Sequence, residues 1–300
     1  MEGGVSNNIL KAYPEARRRE GINEWLASLS LAPFGFFMQP VRALGRRPVV
    51  HYLVPGAPQT DWYEVFAYEN IHGIPLIEAY DGPWLTLDPK GDRGTAAWQS
   101  LLDQLALILY VLDREQVRHH DLWDANVILQ PTNATSLTLR LPKRNSQDRE
   151  DARGNARDKR WENEECGDEC IRVPLAGFVV RIIDLEFATH LPSDLRRSRF
   201  HHPVVSSSTP ADQETRHLLG VSSVFQRGAD ANAILGVLLE HMPIRWQRKL
   251  RPLLREVSQP ARQGDSAALY SISTANHALW WWVRETVNRL RCSGLGIQVR

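Results

Sequence analysis

Three side chains, carried by two separated stretches, have the types and spacing that chemistry on a phosphate needs. The first stretch reads Val117-Arg118-His119-His120-Asp121-Leu122-Trp123-Asp124-Ala125-Asn126 and runs on into apolar Val127-Ile128-Leu129. The second is a β-branched run, Val179-Val180-Arg181-Ile182-Ile183, that delivers Asp184-Leu185-Glu186 into a turn. Moving a phosphoryl group onto a hydroxyl calls for a carboxylate within reach of that hydroxyl, and Asp121 is the candidate. It also calls for hard oxygen ligands to hold Mg2+ against nucleotide phosphates, and Asn126 and Asp184 are the candidates. Asn126 follows Asp121 by five positions, so one tight loop can turn both into a single cleft. A histidine beside such a loop is usually structural, and His119 is read as a brace for the loop and for the backbone near Asp184.

Elements on both sides must hold these groups. The strongest helical pattern runs over residues 95–116, where Trp98, Leu101, Leu102, Leu105, Ile108, Leu109 and Leu112 form a broad apolar stripe and Thr95 can cap. That stripe reads as core, not as a cofactor box, and the helix ends just before the Asp121 loop. Residues 14–31 form a second helix, with Pro14 in its first turn and Ile22, Trp25, Leu26 and Leu29 on one face. Residues 63–68 alternate in strand fashion, residues 49–54 are strand-like, and short strands are expected at 127–129, 137–141 and 173–183. Helices are expected at 228–240, 243–257 and 274–291, and Trp280-Trp281-Trp282 is read as packing of the terminal helix. Residues 1–13 show no strong periodicity. Residues 142–172 crowd Lys, Arg, Asp and Glu together with almost no apolar side chains, which predicts a disordered charged insertion.

The chain of 300 residues, 43% hydrophobic and 24% charged, has the balance of an ordinary soluble globular protein. Its net charge of +1 gives no overall field that would favour nucleic acid or an anionic membrane as partner. No uninterrupted apolar span or signal peptide stands out in the sequence. The three cysteines, Cys166, Cys170 and Cys292, suit a reducing compartment, so an intracellular location in cytoplasm or nucleus is expected. Cys166 and Cys170 lack further ligands at zinc-site spacing and read as two thiols in a polar loop. Ser206-Ser207-Ser208-Thr209 is an exposed cluster of the kind that accepts phosphate.

These motifs resemble the eukaryotic protein-kinase-like superfamily, and within it most nearly the haspin-type serine/threonine kinases. The likeness covers about residues 14–290 and is densest over 63–129 and 178–236. Tyr68, Glu69, Asn70 and Ile71 sit where that superfamily has its gatekeeper and nucleotide-binding hinge. Leu122-Trp123-Asp124-Ala125-Asn126 sits on the catalytic loop, and Asp184-Leu185-Glu186 replaces Asp-Phe-Gly. Phe225-Gln226-Arg227-Gly228-Ala229-Asp230 resembles the start of the helix that anchors the catalytic loop, which gives Asp230 a supporting role. The resemblance implies an α+β, two-lobed fold. Residues 1–72 would be a truncated small lobe and residues 73–300 a mostly helical large lobe that carries the 142–172 insertion.

The departures are as specific. No Gly-x-Gly-x-x-Gly loop lies upstream, and Leu10-Lys11-Ala12 is a poor match to the strand that carries a phosphate-gripping Lys, so that Lys is expected to be missing. The first helix would offer its Glu partner from Glu20 or Glu24. Trp123 stands where many protein kinases have Lys, and no Ala-Pro-Glu follows. The resemblance implies ATP and Mg2+ as cofactors and a protein Ser/Thr hydroxyl or a small-molecule hydroxyl as acceptor. Choline-type and aminoglycoside-type kinases share His-x-Asp-Leu-x-x-x-Asn, and Asp184-Leu185-Glu186-Phe187-Ala188 is close to their second motif. A catalytically impaired, pseudokinase-like binding module is the third reading. A lost Gly-rich loop or Lys would each cost about 2.7–4 kcal/mol of transition-state stabilisation.

Overall fold

The computed structural model describes residues 8–51, 59–82, 84–85, 92–115, 117–141, 169–186, 188–190, 229–254 and 266–291. Helices and small sheets are mixed, as in an α+β protein. The first sheet has the order β1-β3-β2, from β1 (Asn8–Pro14), β2 (Pro40–His51) and β3 (Gln59–Glu69), with both pairings antiparallel. Lys11 stands opposite Phe66 in this ladder. The absence of periodicity over residues 1–13 therefore hid a strand, and β2 starts nine residues before the strand-like piece at 49. Short strands with few apolar residues gain their order from neighbours, which local patterning does not register. The first helix, α1 (Arg18–Leu31), begins after a 3-10 turn at Glu15–Arg17, and Pro14 closes the strand instead of opening the helix.

Gly21 sets how closely α1 lies on this sheet. A Cβ at Gly21 would run into the Tyr13 ring and touch Phe66, so only glycine lets the helix approach so far. Trp25 stacks on Phe66 at 5.3 Å and meets the Tyr68 ring edge-on at 5.7 Å. Tyr13, Met38, Phe66 and Tyr68 are buried together beneath it.

The larger core is organised by α3 (Asp92–Arg114). Trp98, Leu101, Leu105 and Ile108 are all buried there, as the apolar stripe requires. The segment Gly94–Arg114 is long and apolar enough to cross a membrane, and 83% of its most apolar window is buried inside the protein, as a core helix is. Gln104 interrupts the stripe for a reason. Its Nε2 donates to the Phe178 carbonyl at 3.3 Å and its Oε1 accepts the Val180 N–H at 2.8 Å, which pins α3 to β9 (Phe178–Ile182). A second sheet has the order β4-β6-β9, with β4 (Ile74–Pro75) and β6 (Val127–Pro131). Gly73 permits the crossing into β4, because a Cβ there would stand 2.6 Å from the Leu129 carbonyl oxygen. The short helix α2 (Leu76–Ala79) follows.

Two further antiparallel pairs join β5 (Val117–Arg118) to β10 (Thr189–His190) and β7 (Ser136–Leu141) to β8 (Glu169–Pro174). The β8 strand corrects the reading of 142–172 as wholly disordered. Residues 169–172 pair with β7, placing Ile171 in the core and Cys170 half-buried as a free thiol. The rest of that insertion, Cys166, Cys292 and Ser206 to Thr209 lie outside the described residues. Expected strand 173–183 is two strands, divided by a turn in which Gly177 has φ 89°. Helices α4 (Ala229–Leu238), α5 (Ile244–Leu254) and α6 (Ser266–Leu290) complete the described chain. Trp280 and Trp282 of α6 are buried, Trp281 is partly exposed, and Trp280 stacks over Tyr110 of α3.

Candidate functional site

Lys11, which the sequence reading set aside as a poor match to a phosphate-gripping Lys, stands between two carboxylates. Its Nζ donates to Glu24 Oε1 at 2.6 Å and to Asp184 Oδ1 at 2.8 Å, joining β1, α1 and the turn after β9. Alternation along β1 places Lys11 and Tyr13 on one face, and the Tyr13 hydroxyl donates to the other Glu24 oxygen in a short hydrogen bond. Glu24 is fully buried, so its carboxylate depends on these two donors. Burial opposes the charge on Lys11, but Glu24 and Asp184 outweigh it and raise its pKa above the usual lysine value. Glu20, the other acid considered on this helix, lies away from Lys11 and pairs with Arg17. Arg17 also binds Glu186 at 2.9 Å, which ties the start of α1 to the turn after Asp184.

The loop between β5 and β6 holds the second half of the site. The Asp230 carboxylate, in the first turn of α4, accepts the backbone N–H of His119 and of His120, each at 3.0 Å. His120 has φ 64°, a left-handed conformation costly for a side chain with a Cβ, and this paired grip holds it there. His119 Nδ1 accepts the Asp121 N–H at 3.3 Å, which leaves its Nε2–H to donate to the Ile183 carbonyl at 3.0 Å. The histidine thus clamps the Asp121 loop to the residue before Asp184. Ile183 N–H donates in turn to the Asn126 carbonyl at 3.0 Å. On the far side, Ile182 N–H bonds Phe36 O at 2.7 Å and Met38 N–H bonds Ile182 O at 2.9 Å. Asp184 itself has φ 62°, the other non-glycine residue held in the left-handed region among those described.

Asn126 Nδ2 donates to Asp121 Oδ2 at 3.0 Å and to the Asp121 carbonyl at 2.9 Å. Burial raises the Asp121 pKa, and the charge of Asp184 adds to that. His119, Asn126 and the Trp123 side chain pull the other way. The two carboxylates are thus close enough to feel each other. Asp121, Asn126, Asp184 and Lys11 converge on one site, although Asp121 and Asp184 are far apart in sequence. Glu186 is also shifted upward, by burial first and then by the charge of Asp184.

The residues expected to form a hinge are placed as follows. Tyr68 is fully buried, its ring centroid 5.9 Å from Lys11 Nζ. The Glu69 carboxylate takes the Gln39 N–H at 2.7 Å and a short ion pair from Arg181, so that side chain is engaged inside the protein. Asn70 is exposed, and Ile71 packs against the Tyr13 cluster. Two residues that sequence reasoning passed over support the loop. Asp124 is buried and accepts a hydrogen bond from the Tyr80 hydroxyl at 2.9 Å, and the Tyr80 ring stacks on His241 at 3.8 Å. Trp123 stands beside Asp121 with 44% of its surface exposed.

The donor set suits Mg2+. Asp184 is partly exposed, and the Asn126 amide oxygen meets no donor among the described residues, so both can offer oxygen. No group of three or more His, Cys, Asp or Glu side chains that could hold a metal exists among the described residues. Two protein oxygens plus phosphate oxygens is the way Mg2+ is usually held on a nucleotide.

No protein-family model matches the sequence, and no curated protein matches it. A similar solved structure is described as "WaaP in complex with acyl carrier protein". It is 15% identical, covers 94% of this chain and 80% of its own, and has a TM-score of 0.40. A likeness of that size defines no family, and the functional reading rests on the geometry of the site.

Proposed function

We propose that this chain is a Mg2+- and ATP-dependent phosphotransferase of the protein-kinase-like type, moving the γ-phosphoryl group of ATP to a hydroxyl. The observation that carries the reading is Lys11, bridged to Glu24 and Asp184, facing a loop that presents Asp121 and Asn126. In this reading the sheet β1-β3-β2 with α1 is the small lobe and residues 69–71 are the hinge. The large lobe follows from residue 73. Nothing found narrows the reading to haspin-type kinases, so it stays at the level of the superfamily.

Each side chain then has a physical task. ATP supplies the transferable phosphoryl group, and Mg2+ neutralises charge on its phosphates when bound. Asp184 and Asn126 would hold the metal, and Lys11, once it yields its bond to Asp184, reaches phosphate oxygens. Asp121 accepts the hydrogen of the acceptor hydroxyl. Its raised pKa brings it nearer to a useful proton acceptor at neutral pH. Glu24 and Tyr13 fix Lys11, and His119 and Asp230 fix the loop, so little reorganisation remains when substrate arrives.

A small-molecule acceptor is the second reading. Glu186, linked to Arg17 beside Asp184, matches the acid of the small-molecule kinase motif, and Trp123 replaces the Lys of many protein kinases. The test is transfer from γ-labelled ATP to Ser/Thr peptides, choline-like alcohols and aminoglycosides in parallel. Label on peptides or on small alcohols identifies the acceptor, and Asp121→Asn should abolish it. No transfer to any acceptor, with no Mg2+-dependent ATP binding, would replace this reading with a non-catalytic binding module.

A further inference from the structure

Arg181 has no part in the chemistry proposed above, although it stands on β9 only three residues before Asp184. Strand alternation puts Phe178, Val180 and Ile182 into the larger core and turns Arg181 to the other face. There the guanidinium is buried and meets three acceptors. Nη1 donates to Gln130 Oε1 at 2.9 Å, Nη2 donates to the Phe37 carbonyl at 3.2 Å, and Nη2 also makes the short ion pair with Glu69. These acceptors belong to β6, to the segment that leads into β2, and to the end of β3. The planar fork of Arg fixes the direction of each contact as well as supplying the charge.

The backbone around these contacts is held from several sides. Phe37 forms a parallel bridge with Ile182, beside the Phe36 and Met38 bonds to Ile182 already described. Glu69 N–H donates to the Gln39 carbonyl at 2.9 Å, and the Gln39 N–H donates to the Glu69 carboxylate at 2.7 Å. Gln39 Nε2 reaches the Ala32 and Phe37 carbonyls at 3.1 and 2.9 Å. Phe36 and Phe37 are buried in the larger core and Met38 in the smaller one, so residues 36–39 join the two. Arg181 ties this segment to Glu69 and to β9 at once.

Glu69 ends β3 and begins residues 69–71, while three residues of chain, at most about 11 Å, separate Arg181 from Asp184. We infer that Arg181 is a positioning residue that fixes the spacing between residues 69–71 and Asp184. In the phosphotransferase reading, on which this inference rests, those are the ends that take the base and the metal-bound phosphates of one nucleotide. A ligand gripped at two ends gains affinity only when the protein holds both grips at the ligand's own length. Arg181 acts through Glu69 and β9, not on the nucleotide itself.

The test is calorimetric titration of the full chain with ATP, adenosine and tripolyphosphate, each in Mg2+. The unmodified chain should bind ATP more tightly than either half. Arg181→Lys keeps the charge without the fork and should weaken ATP roughly tenfold or more, since a small misplacement of one grip is costly. The two halves should change by less than about twofold. Arg181→Gln should weaken ATP further, and adding Glu69→Gln to it should cost little more, because the pair is already broken. Equal losses for ATP and for the halves, unchanged ATP binding in Arg181→Lys, or a half that fails to bind the unmodified chain would overturn the inference. Hydrogen exchange of the ligand-free chain separates this failure from failure of the phosphotransferase reading. Arg181→Lys should speed exchange at residues 36–39 and 69–71 and leave the β7–β8 pair unchanged. Unchanged exchange at the first two segments overturns the inference whether or not ATP binds. Faster exchange in a chain whose unmodified form binds no Mg-ATP rejects the phosphotransferase reading, and the nucleotide role of Arg181 with it.

Discussion

Removing Lys11 should destabilise the protein through Glu24 more than through any contact that Lys11 itself makes. At 2.6 Å, an effective dielectric near 20 puts the gross attraction between Lys11 and Glu24 at about 6 kcal/mol, most of it offset by desolvation. Lys11→Met leaves the fully buried Glu24 carboxylate with only the Tyr13 hydroxyl. Breaking a buried pair from one side costs about 3–5 kcal/mol, and the quarter exposure of the Lys11 side chain puts this case near the lower end. Glu24→Gln should cost less, roughly 1–2 kcal/mol, because Lys11 keeps Asp184 and its access to water. The double variant no longer buries an unpaired charge. Its cost should fall short of the sum by roughly 1–3 kcal/mol. Urea unfolding of the four proteins measures this cycle. Additive costs, or a Lys11→Met cost below that of Glu24→Gln, would refute the buried-charge argument. All three variants should also weaken Mg-ATP binding.

Other perturbations test separate links. Gly21→Ala gains helix propensity of about 1 kcal/mol, yet its methyl must displace the Tyr13 ring. A fall in melting temperature with weaker ATP binding is expected, and a rise would show that α1 does not depend on this close approach. His120 is pushed down to about 4, by burial first and then by the charge of Arg118, against the pull of Asp230. Its folded pKa lies below the unfolded value, so stability is present above about pH 6.5 and is lost as pH falls toward 4. The loss should be roughly 2 kcal/mol between about pH 7 and pH 5, and urea curves of His120→Asn should lack that part of the slope. A variant with an unchanged slope would exclude His120 as its source. Asp121→Asn should abolish transfer without lowering the melting temperature, since partial burial makes the Asp121 charge unfavourable in the folded protein. A marked destabilisation would give Asp121 a structural role instead.

What the sequence disclosed, and what it hid, divides along physical lines. The apolar stripe of α3 was legible because a long buried helix repeats its apolar positions, and Asp121, Asn126, Asp184 and Asp230 stood out by residue type and spacing within two short stretches and a helix start. Lys11 was hidden because its strand is one short element that depends wholly on β3, and a single Lys in Asn-Ile-Leu-Lys-Ala-Tyr-Pro has no local signature. The paired reach of Lys11 and Tyr13, two residues apart on one strand face, was the available signal. The choice of Glu24 over Glu20 follows from the sheet side that Gly21 permits α1 to press on. Strand β8 was misread because charged neighbours mask alternation when only Ile171 and Val173 face inward. Asp124 with Tyr80 is a tertiary contact between a loop and a helix, and no sequence period records it.

The most direct test of the central claim is calorimetric titration of ATP into the chain, with and without Mg2+, set beside Asp184→Asn. If Asp184 and Asn126 hold a metal on the nucleotide, Mg2+ should tighten ATP binding to the unmodified chain, and Asp184→Asn should lose most of that gain while retaining metal-free binding. ATP binding that ignores Mg2+ in both proteins, or no binding at millimolar nucleotide, would contradict the phosphotransferase account.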